Sequence, residues 1–174
     1  MENKQPEIIR ADTATHIAEA RKLFQEYAEL LIERGDCESK EVFQEIPKLP
    51  NEYASPDGVL LLAIMDDSIA GCVALRRLEP EVCEMKRLYA RPTFRGKGVG
   101  RSLILALIEE AKQKGYIRMR LDTIPPLKEA ILLYESLGFK RIERYNKNPF
   151  PDAIFMEINL KSENKESFSV HQKS

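Results

Sequence analysis

Three glycines at alternate positions, between a basic loop and a helix, constrain this chain more than any other feature. Gly96, Gly98 and Gly100 follow a strand that Pro92 ends, because proline donates no backbone hydrogen bond to a sheet. From Val99 an apolar run with helical spacing begins. A helix that begins on glycine leaves its first amide N–H groups unpaired at the positive end of the helix dipole. The sequence therefore predicts an anion site at this loop.

The charged residues around the glycines all have the same sign. Between Glu84 and Glu109 the sequence has no acidic residue. The basic residues in that stretch are Lys86, Arg87, Arg91, Arg95, Lys97 and Arg101. The whole chain has a formal net charge of −1, so this segregation of charge is local. We interpret the loop as a binding site for a pyrophosphate group.

Three classes of pyrophosphate ligand are open on this pattern. A nucleoside triphosphate site requires Gly-x-x-x-x-Gly-Lys-Ser/Thr, but here Gly98 follows Lys97 and the metal-binding hydroxyl is missing. A dinucleotide site requires Gly-x-Gly-x-x-Gly tight against the first strand, and here the third glycine comes one residue early. Asp122 lies near the distance expected for a ribose ligand, so the dinucleotide is weakened but not eliminated. The third class is coenzyme A.

Length and composition predict a single ordinary globular domain. The chain has 174 residues, of which 43% are hydrophobic and 32% charged. A net charge near zero argues against general affinity for nucleic acids or membrane surfaces. The sequence shows no signal peptide and no apolar run that could span a bilayer, so we expect a cytoplasmic protein. With three scattered cysteines and two histidines, we expect neither a disulfide framework nor a metal site.

The hydrophobic pattern predicts one domain over residues 7–160, followed by a polar tail over 161–174 that we expect to be disordered. We expect strands over 7–10, 58–65, 69–78, from 82 to the residues before Pro92, and over 116–123, 139–144 and 153–160. Helices are expected before Gly35 with Thr13 or Thr15 as the N-cap, from Val99 to Gly115, and over 127–137. The three central strands form an antiparallel meander, and the next strand-helix-strand unit a right-handed parallel crossover. We interpret residues 36–57 as a loop with one short helix near 40–43.

Three stretches resemble the GNAT superfamily of N-acetyltransferases. Residues 95–100 match the family signature Gln/Arg-x-x-Gly-x-Gly/Ala in full, and residues 133–139 resemble its second signature, Leu-Tyr-x-x-x-Gly-Phe. Residues 84–90 resemble the family strand that carries a glutamate before its pantetheine-binding end. The order of elements over about residues 7–160 is similar as well. The resemblance implies an α+β fold of three α/β/α layers, with a mixed, mostly antiparallel sheet around a central parallel β-α-β crossover.

One spacing in the third stretch predicts a β-bulge. Met85 and Leu88 lie three residues apart, which places them on opposite faces of a regular strand. Both can face the core only if an extra residue is accommodated between them. In the family, a bulge here helps to splay two parallel strands and opens the cleft for the cofactor. The chain departs from the family pattern at Ala90, where valine is more usual, and at Pro125-Pro126, which replaces a polar residue.

The resemblance implies transfer of the acetyl group of acetyl-CoA, as co-substrate, to a primary amine by direct attack in a ternary complex. It makes Glu84 the candidate base for the amine and Tyr134 the candidate acid for the leaving thiolate. The alternatives are a solvated Glu84, or one paired with Arg87 or Lys86, and a core Tyr134 whose hydroxyl bonds to backbone. The residues expected to bind the cofactor are Leu88, Tyr89, Ala90, Arg95, Gly96, Lys97, Gly98, Val99, Gly100, Arg101 and Ser102.

The sequence defines the acceptor less sharply. We expect residues 36–57, the first helix and the loop over 145–152 to line its site. A small amine or an amino acid is the favoured acceptor, followed by a peptide or protein N-terminus. Two other functions stay open: a non-catalytic acyl-CoA-binding or sensing module on the same fold, and a nucleotide-binding oxidoreductase domain. A homodimer is left open as an assembly.

Overall fold

The computed structural model describes residues 4–35 and 39–161, which form one mixed sheet with helices on both faces. Cys37 and the predicted tail after Lys161 lie outside the described residues. The strands are β1 (Glu7–Arg10), β2 (Val59–Met65), β3 (Ser68–Glu79), β4 (Val82–Ala90), β5 (Arg118–Thr123), β6 (Lys140–Ile142) and β7 (Ile154–Asn159). The helices are α1 (Ala14–Glu33), α2 (Ser39–Glu45), α3 (Val99–Gln113) and α4 (Lys128–Ser136).

The sheet has the order β1-β2-β3-β4-β5-β7-β6. Only the β4–β5 pair is parallel among the described strands, and α3 connects these two strands. The antiparallel meander from β2 to β4 and the parallel crossover are therefore confirmed. None of the helices among residues 4–35 and 39–161 combines the length and the apolar character that a membrane crossing requires.

Alternate residues of β2 divide the core into two halves. Leu60 and Leu62 pack with α1 and α2, whereas Leu61 and Ala63 pack with α3. Successive side chains of a strand point to opposite faces, so each face of the sheet has its own apolar layer. Tyr134 of α4 belongs to the layer on the α3 side. This arrangement confirms the three-layer α+β architecture.

Local sequence features determine where several helices and strands begin or end. The Thr13 hydroxyl accepts a hydrogen bond from the His16 amide at 3.1 Å, which confirms the N-cap of α1. Gly138 has a φ of 102°, which allows the chain to turn after α4. The strand expected to continue to residue 144 ends at Ile142. There the chain leaves the sheet, and the Arg144 guanidinium donates to backbone carbonyls of the loop that follows.

The expected bulge lies on β4. The pairs Ala74–Lys86 and Cys72–Tyr89 set three steps on β4 against two on β3. Arg87 is the bulged residue, with a φ of 60°. As a result, Met85 and Leu88 both pack against the core on the α3 side.

Beyond this point β4 and β5 separate. The last parallel pair is Glu84–Arg120. From there to Ala90 on β4 and Thr123 on β5, neither strand pairs with the other within the described residues. The gap between the two strand ends opens beside the first turn of α3.

Candidate active site

The loop between β4 and α3 presents unpaired backbone amides. Gly98 is the N-cap of α3, with a φ of 79°, and it offers no side chain to the helix. The Ser102 amide donates to the Gly98 carbonyl at 3.0 Å, and the Lys97 amide to the Phe94 carbonyl at 3.3 Å. The backbone amides of Gly96, Gly98, Val99, Gly100 and Arg101 have no hydrogen-bond partner among the described residues.

The glycines of this loop keep it open in two different ways. At Gly96 and Gly98, φ is +77° and +79°, a region that residues with a side chain rarely adopt. A Cβ atom at either position would meet no described atom within 4 Å, so the space in front of the amides is clear. At Gly100 a Cβ atom would lie 3.1 Å from Cδ2 of Leu133, so this glycine lets α3 approach α4 closely. An anion can therefore reach the amides directly.

A cleft of about 470 Å³ runs from this loop along the separated ends of β4 and β5. Of the residues predicted to bind the cofactor, those that line the cleft are Leu88, Tyr89, Ala90, Arg95, Gly96, Gly98, Val99, Gly100 and Arg101. Lys97 and Ser102 do not line it. The Lys97 ammonium lies 5.7 Å from the centre of the Phe94 ring instead. The cleft thus joins the unpaired amides at the start of α3 to a channel lined mostly by apolar residues.

Tyr134 reaches this cleft from α4. Its ring packs against Phe139 with the ring centres 5.8 Å apart. Its hydroxyl has no hydrogen-bond partner among the described residues, and the oxygen is not sealed from solvent. Burial raises the pKa of Tyr134 above its ordinary value, and the nearby Asp122 carboxylate raises it further. The phenol is therefore protonated at neutral pH and has a proton to donate.

Glu84 is fully buried and does not line the cleft. Its Oε1 accepts hydrogen bonds from Nε and Nη2 of Arg76 at 2.8 and 2.7 Å. Its Oε2 accepts from the Tyr145 hydroxyl at 2.5 Å, and Nζ of Lys86 lies 3.9 Å from Oε1. The alternative of a solvated Glu84 is therefore wrong. The sequence identified neither Arg76 nor Tyr145 as a partner, because they lie on other elements.

Arg87 does not pair with Glu84 either. Its side chain is 2% exposed, and its guanidinium donates to both carboxylate oxygens of Glu45 at 2.8 and 3.0 Å. The Tyr53 hydroxyl donates to the same carboxylate at 3.0 Å. Since Arg87 is the bulged residue of β4, this ion pair ties α2 to the strand that lines the cleft.

A second carboxylate, Asp122, does line the cleft, and the sequence suggested it only as a ribose ligand. Its side chain is 4% exposed, with Oδ1 3.5 Å from Nζ of Lys86. Its Oδ2 accepts hydrogen bonds from the side-chain amides of Asn146 and Asn148, both at 3.0 Å. Burial opposes ionisation of Asp122, but the Lys86 charge and the two amide donors outweigh it. The pKa of Asp122 therefore lies below its ordinary value.

The residues expected at the acceptor site are only partly brought together. Tyr27 and Leu30 of α1 line the cleft, and so does Arg34, which directly follows this helix. No described residue between 39 and 57 does so, and residues 36–38 lie outside the description. No residue of the loop over 145–152 lines the cleft either. Side chains of this loop donate hydrogen bonds to the carboxylates of Glu84 and Asp122.

Comparison with known proteins identifies the family of this chain. The profile of the acetyltransferase (GNAT) family matches residues 18–139, more than half of the chain. The chain belongs to the GNAT acetyltransferase family. It is an acyltransferase, and enzymes of this family use acetyl-CoA. An uncharacterised N-acetyltransferase of Schizosaccharomyces pombe is 38% identical over 143 residues, which cover 80% of this chain and 86% of that protein.

Solved GNAT structures share the fold. A GNAT-family acetyltransferase from Staphylococcus aureus superposes with a TM-score of 0.74 at 22% identity, and covers 90% of this chain and 100% of its own. The PaiA N-acetyltransferase from Thermoplasma acidophilum, solved in complex with coenzyme A, has a TM-score of 0.71 at 22% identity, with coverages of 90% and 99%. The fold predicted from the sequence is therefore confirmed.

Proposed function

We propose that this GNAT enzyme transfers the acetyl group of acetyl-CoA to a small primary amine or an amino acid, by direct attack in a ternary complex. One observation supports this most strongly: the unpaired amides at the start of α3 open onto a cleft that Tyr134 also lines. A pyrophosphate at one end and a thioester at the other end would match that layout.

The cofactor site in this proposal uses mostly backbone. The amides of residues 98–101 donate to the pyrophosphate, with the helix dipole adding positive potential. The guanidinium groups of Arg95 and Arg101, which line the same end of the cleft, offset its negative charge. Pantetheine lies against the edge of Leu88 and Ala90, where β4 has no β5 partner among the described residues. Lys97 and Ser102 have outer positions, where they contribute charge and support but no direct contact.

The reaction needs three groups near the thioester: a donor to the oxyanion, an acid for the thiolate and a base for the amine. The amine nitrogen attacks the carbonyl carbon, and the backbone amide of Leu88 donates to the oxygen that becomes negative. The carbon–sulfur bond then breaks, and the thiolate takes the proton of the Tyr134 hydroxyl. The raised pKa of Tyr134 keeps this proton available at neutral pH.

Glu84 stays our proposal for the base that takes the proton of the attacking amine. Its carboxylate does not line the cleft, so the proton must travel through water. The hydrogen bonds from Arg76 and Tyr145 fix this carboxylate in place. A cytoplasmic location and a homodimer also stay predictions.

Two measurements test the proposal. Thermal shifts with acetyl-CoA, ATP and NAD should show stabilisation by acetyl-CoA alone, since each bound ligand raises the apparent stability by mass action. Thiol release from acetyl-CoA is then followed over a panel of primary amines, amino acids and short peptides. Turnover of a small amine or amino acid supports the proposal. Binding of acetyl-CoA without turnover of any acceptor would identify a non-catalytic acyl-CoA-binding module.

A further inference from the structure

We propose that Asp122 binds the ammonium group of the acceptor beside the thioester, so that the enzyme favours amines that arrive protonated. This inference rests on the proposed function and names the group that recognises the substrate of that site. Asp122 thereby contributes to acceptor specificity, which the sequence pattern did not assign to any residue.

The first argument is position. Asp122 lies on β5 beyond Arg120, which forms the last pair with β4. It therefore stands where the two strands have separated, and it lines the cleft together with Tyr134 and Leu88. Glu84, the other buried carboxylate of this region, does not line the cleft. An amine that enters the cleft towards the thioester meets Asp122 before any other buried carboxylate described above.

The second argument is unused hydrogen-bonding capacity. An ionised carboxylate has about four acceptor positions. Oδ2 of Asp122 is used by Asn146 and Asn148, both at 3.0 Å. Oδ1 has only the Lys86 ammonium at 3.5 Å, well beyond the 2.7–2.9 Å typical of a charge-assisted hydrogen bond. Oδ1 therefore retains capacity for a further, short hydrogen bond, which we assign to the ammonium group of the acceptor.

The third argument is charge. Lys86 is shared between two buried carboxylates, at 3.5 Å from Asp122 and 3.9 Å from Glu84. Arg76, the other cation beside Glu84, is itself shared with Glu52 at 2.8 Å, so these two cations serve three carboxylates. The lowered pKa of Asp122 makes it a good anion for an ammonium group but a weak base. The first proton of the ammonium group consequently moves through water to Glu84, and the freed amine attacks the thioester. The second proton leaves the nitrogen of the adduct for the Tyr134 phenolate, which has given its own proton to the thiolate.

The side-chain amides of Asn146 and Asn148 hold the Asp122 carboxylate in place. Asn146 and Asn148 belong to the loop after β6, and the Asn148 amide N–H also donates to Oδ1 of Asn146 at 2.9 Å. This loop fixes Oδ2 and, among the described residues, donates no hydrogen bond to Oδ1. The loop over 145–152 thus influences the acceptor without lining the cleft.

The test compares an amine with its aminooxy isostere, in which oxygen replaces the methylene next to nitrogen. For phenethylamine the isostere is O-benzylhydroxylamine, whose nitrogen is largely unprotonated at neutral pH. The pair is built on the panel amine with the highest wild-type kcat/KM among those that have a methylene next to nitrogen and no α-carboxylate, because an α-amino acid has no such isostere. For Asp122→Asn, kcat/KM should fall about 10- to 100-fold with the amine, the value of a hydrogen bond to a charged group. It should fall only about threefold with the aminooxy compound.

Two controls separate this effect from a folding defect. Asp122→Asn must still be stabilised by acetyl-CoA in a thermal shift, and Asp67→Asn in the exposed β2–β3 turn should match the wild type with both acceptors. In the wild type itself, which needs no folded variant, KM should be lower for the amine than for the aminooxy compound. Equal losses with the two acceptors, no loss, or the reverse order of wild-type KM would overturn the inference. If no panel amine is turned over, the proposed function fails first and this inference with it.

Discussion

Replacing Gly98 by aspartate is expected to separate the stability of the free enzyme from its affinity for acetyl-CoA. Gly98 has a φ of 79°, where an ordinary residue with a side chain costs about 1–2 kcal/mol. Aspartate and asparagine tolerate this region better than most residues. No described atom lies within 4 Å of an added Cβ, so steric overlap adds nothing. Gly98→Asn therefore provides a control that shares both the backbone strain and the shape.

The difference between Gly98→Asp and Gly98→Asn isolates the effect of the added negative charge. In the free enzyme, a carboxylate at the N-terminus of α3 interacts favourably with the helix dipole by about 0.3–1 kcal/mol, so Gly98→Asp should be the more stable variant. In the complex, the same carboxylate faces the pyrophosphate. Two like charges 4 Å apart repel by about 1 kcal/mol in water and by about 4 kcal/mol at the effective dielectric of a protein surface. Acetyl-CoA should then bind Gly98→Asp about 5- to 1000-fold more weakly than Gly98→Asn.

Calorimetric titration with acetyl-CoA measures the two affinities, and urea denaturation measures the two stabilities. The affinity gap should narrow as salt is added, because salt screens exposed charges. Equal dissociation constants for the two variants would show that the phosphates do not lie at the start of α3.

Three further substitutions test separate parts of the site. Tyr134→Phe should lower kcat about 100-fold with an unchanged acetyl-CoA dissociation constant, since only the proton donor is lost; an unchanged kcat would contradict this role. Glu84→Gln should also lower kcat about 100-fold, measured by thiol release, because the base for the amine is lost. A kcat equal to that of the wild type would show that Glu84 is not the base. Glu45→Gln leaves the buried Arg87 with only the exposed Glu41, at 3.9 Å, and should cost about 3 kcal/mol of stability measured in urea. Glu41→Gln should change stability by less than about 0.5 kcal/mol.

The parts of the site that follow from local backbone chemistry could be predicted from the sequence. The spacing of Met85 and Leu88 requires a bulge because a strand has a period of two, and the structure has that bulge at Arg87. Gly96 and Gly98 predicted an open loop before a helix, and their positive φ values and unpaired amides agree. In each case the cause and its consequence lie within a few residues of each other.

The side-chain partners of the site could not be predicted in this way. Glu84 binds Tyr145, and Asp122 binds Asn146 and Asn148, through contacts that exist only after β7 pairs with β5. No spacing rule connects residues so far apart in the chain. The sequence therefore suggested Glu84 for its family position, while Asp122, which lines the cleft, was noted only as a ribose ligand.

A crystal structure of the enzyme with coenzyme A tests the central claim most directly. We expect pyrophosphate oxygens about 2.9 Å from the amides of residues 98–101, pantetheine along the edge of Leu88 and Ala90, and the sulfur within hydrogen-bonding reach of the Tyr134 hydroxyl. A pyrophosphate bound away from the start of α3, or a Tyr134 hydroxyl turned away from the sulfur, would contradict the account.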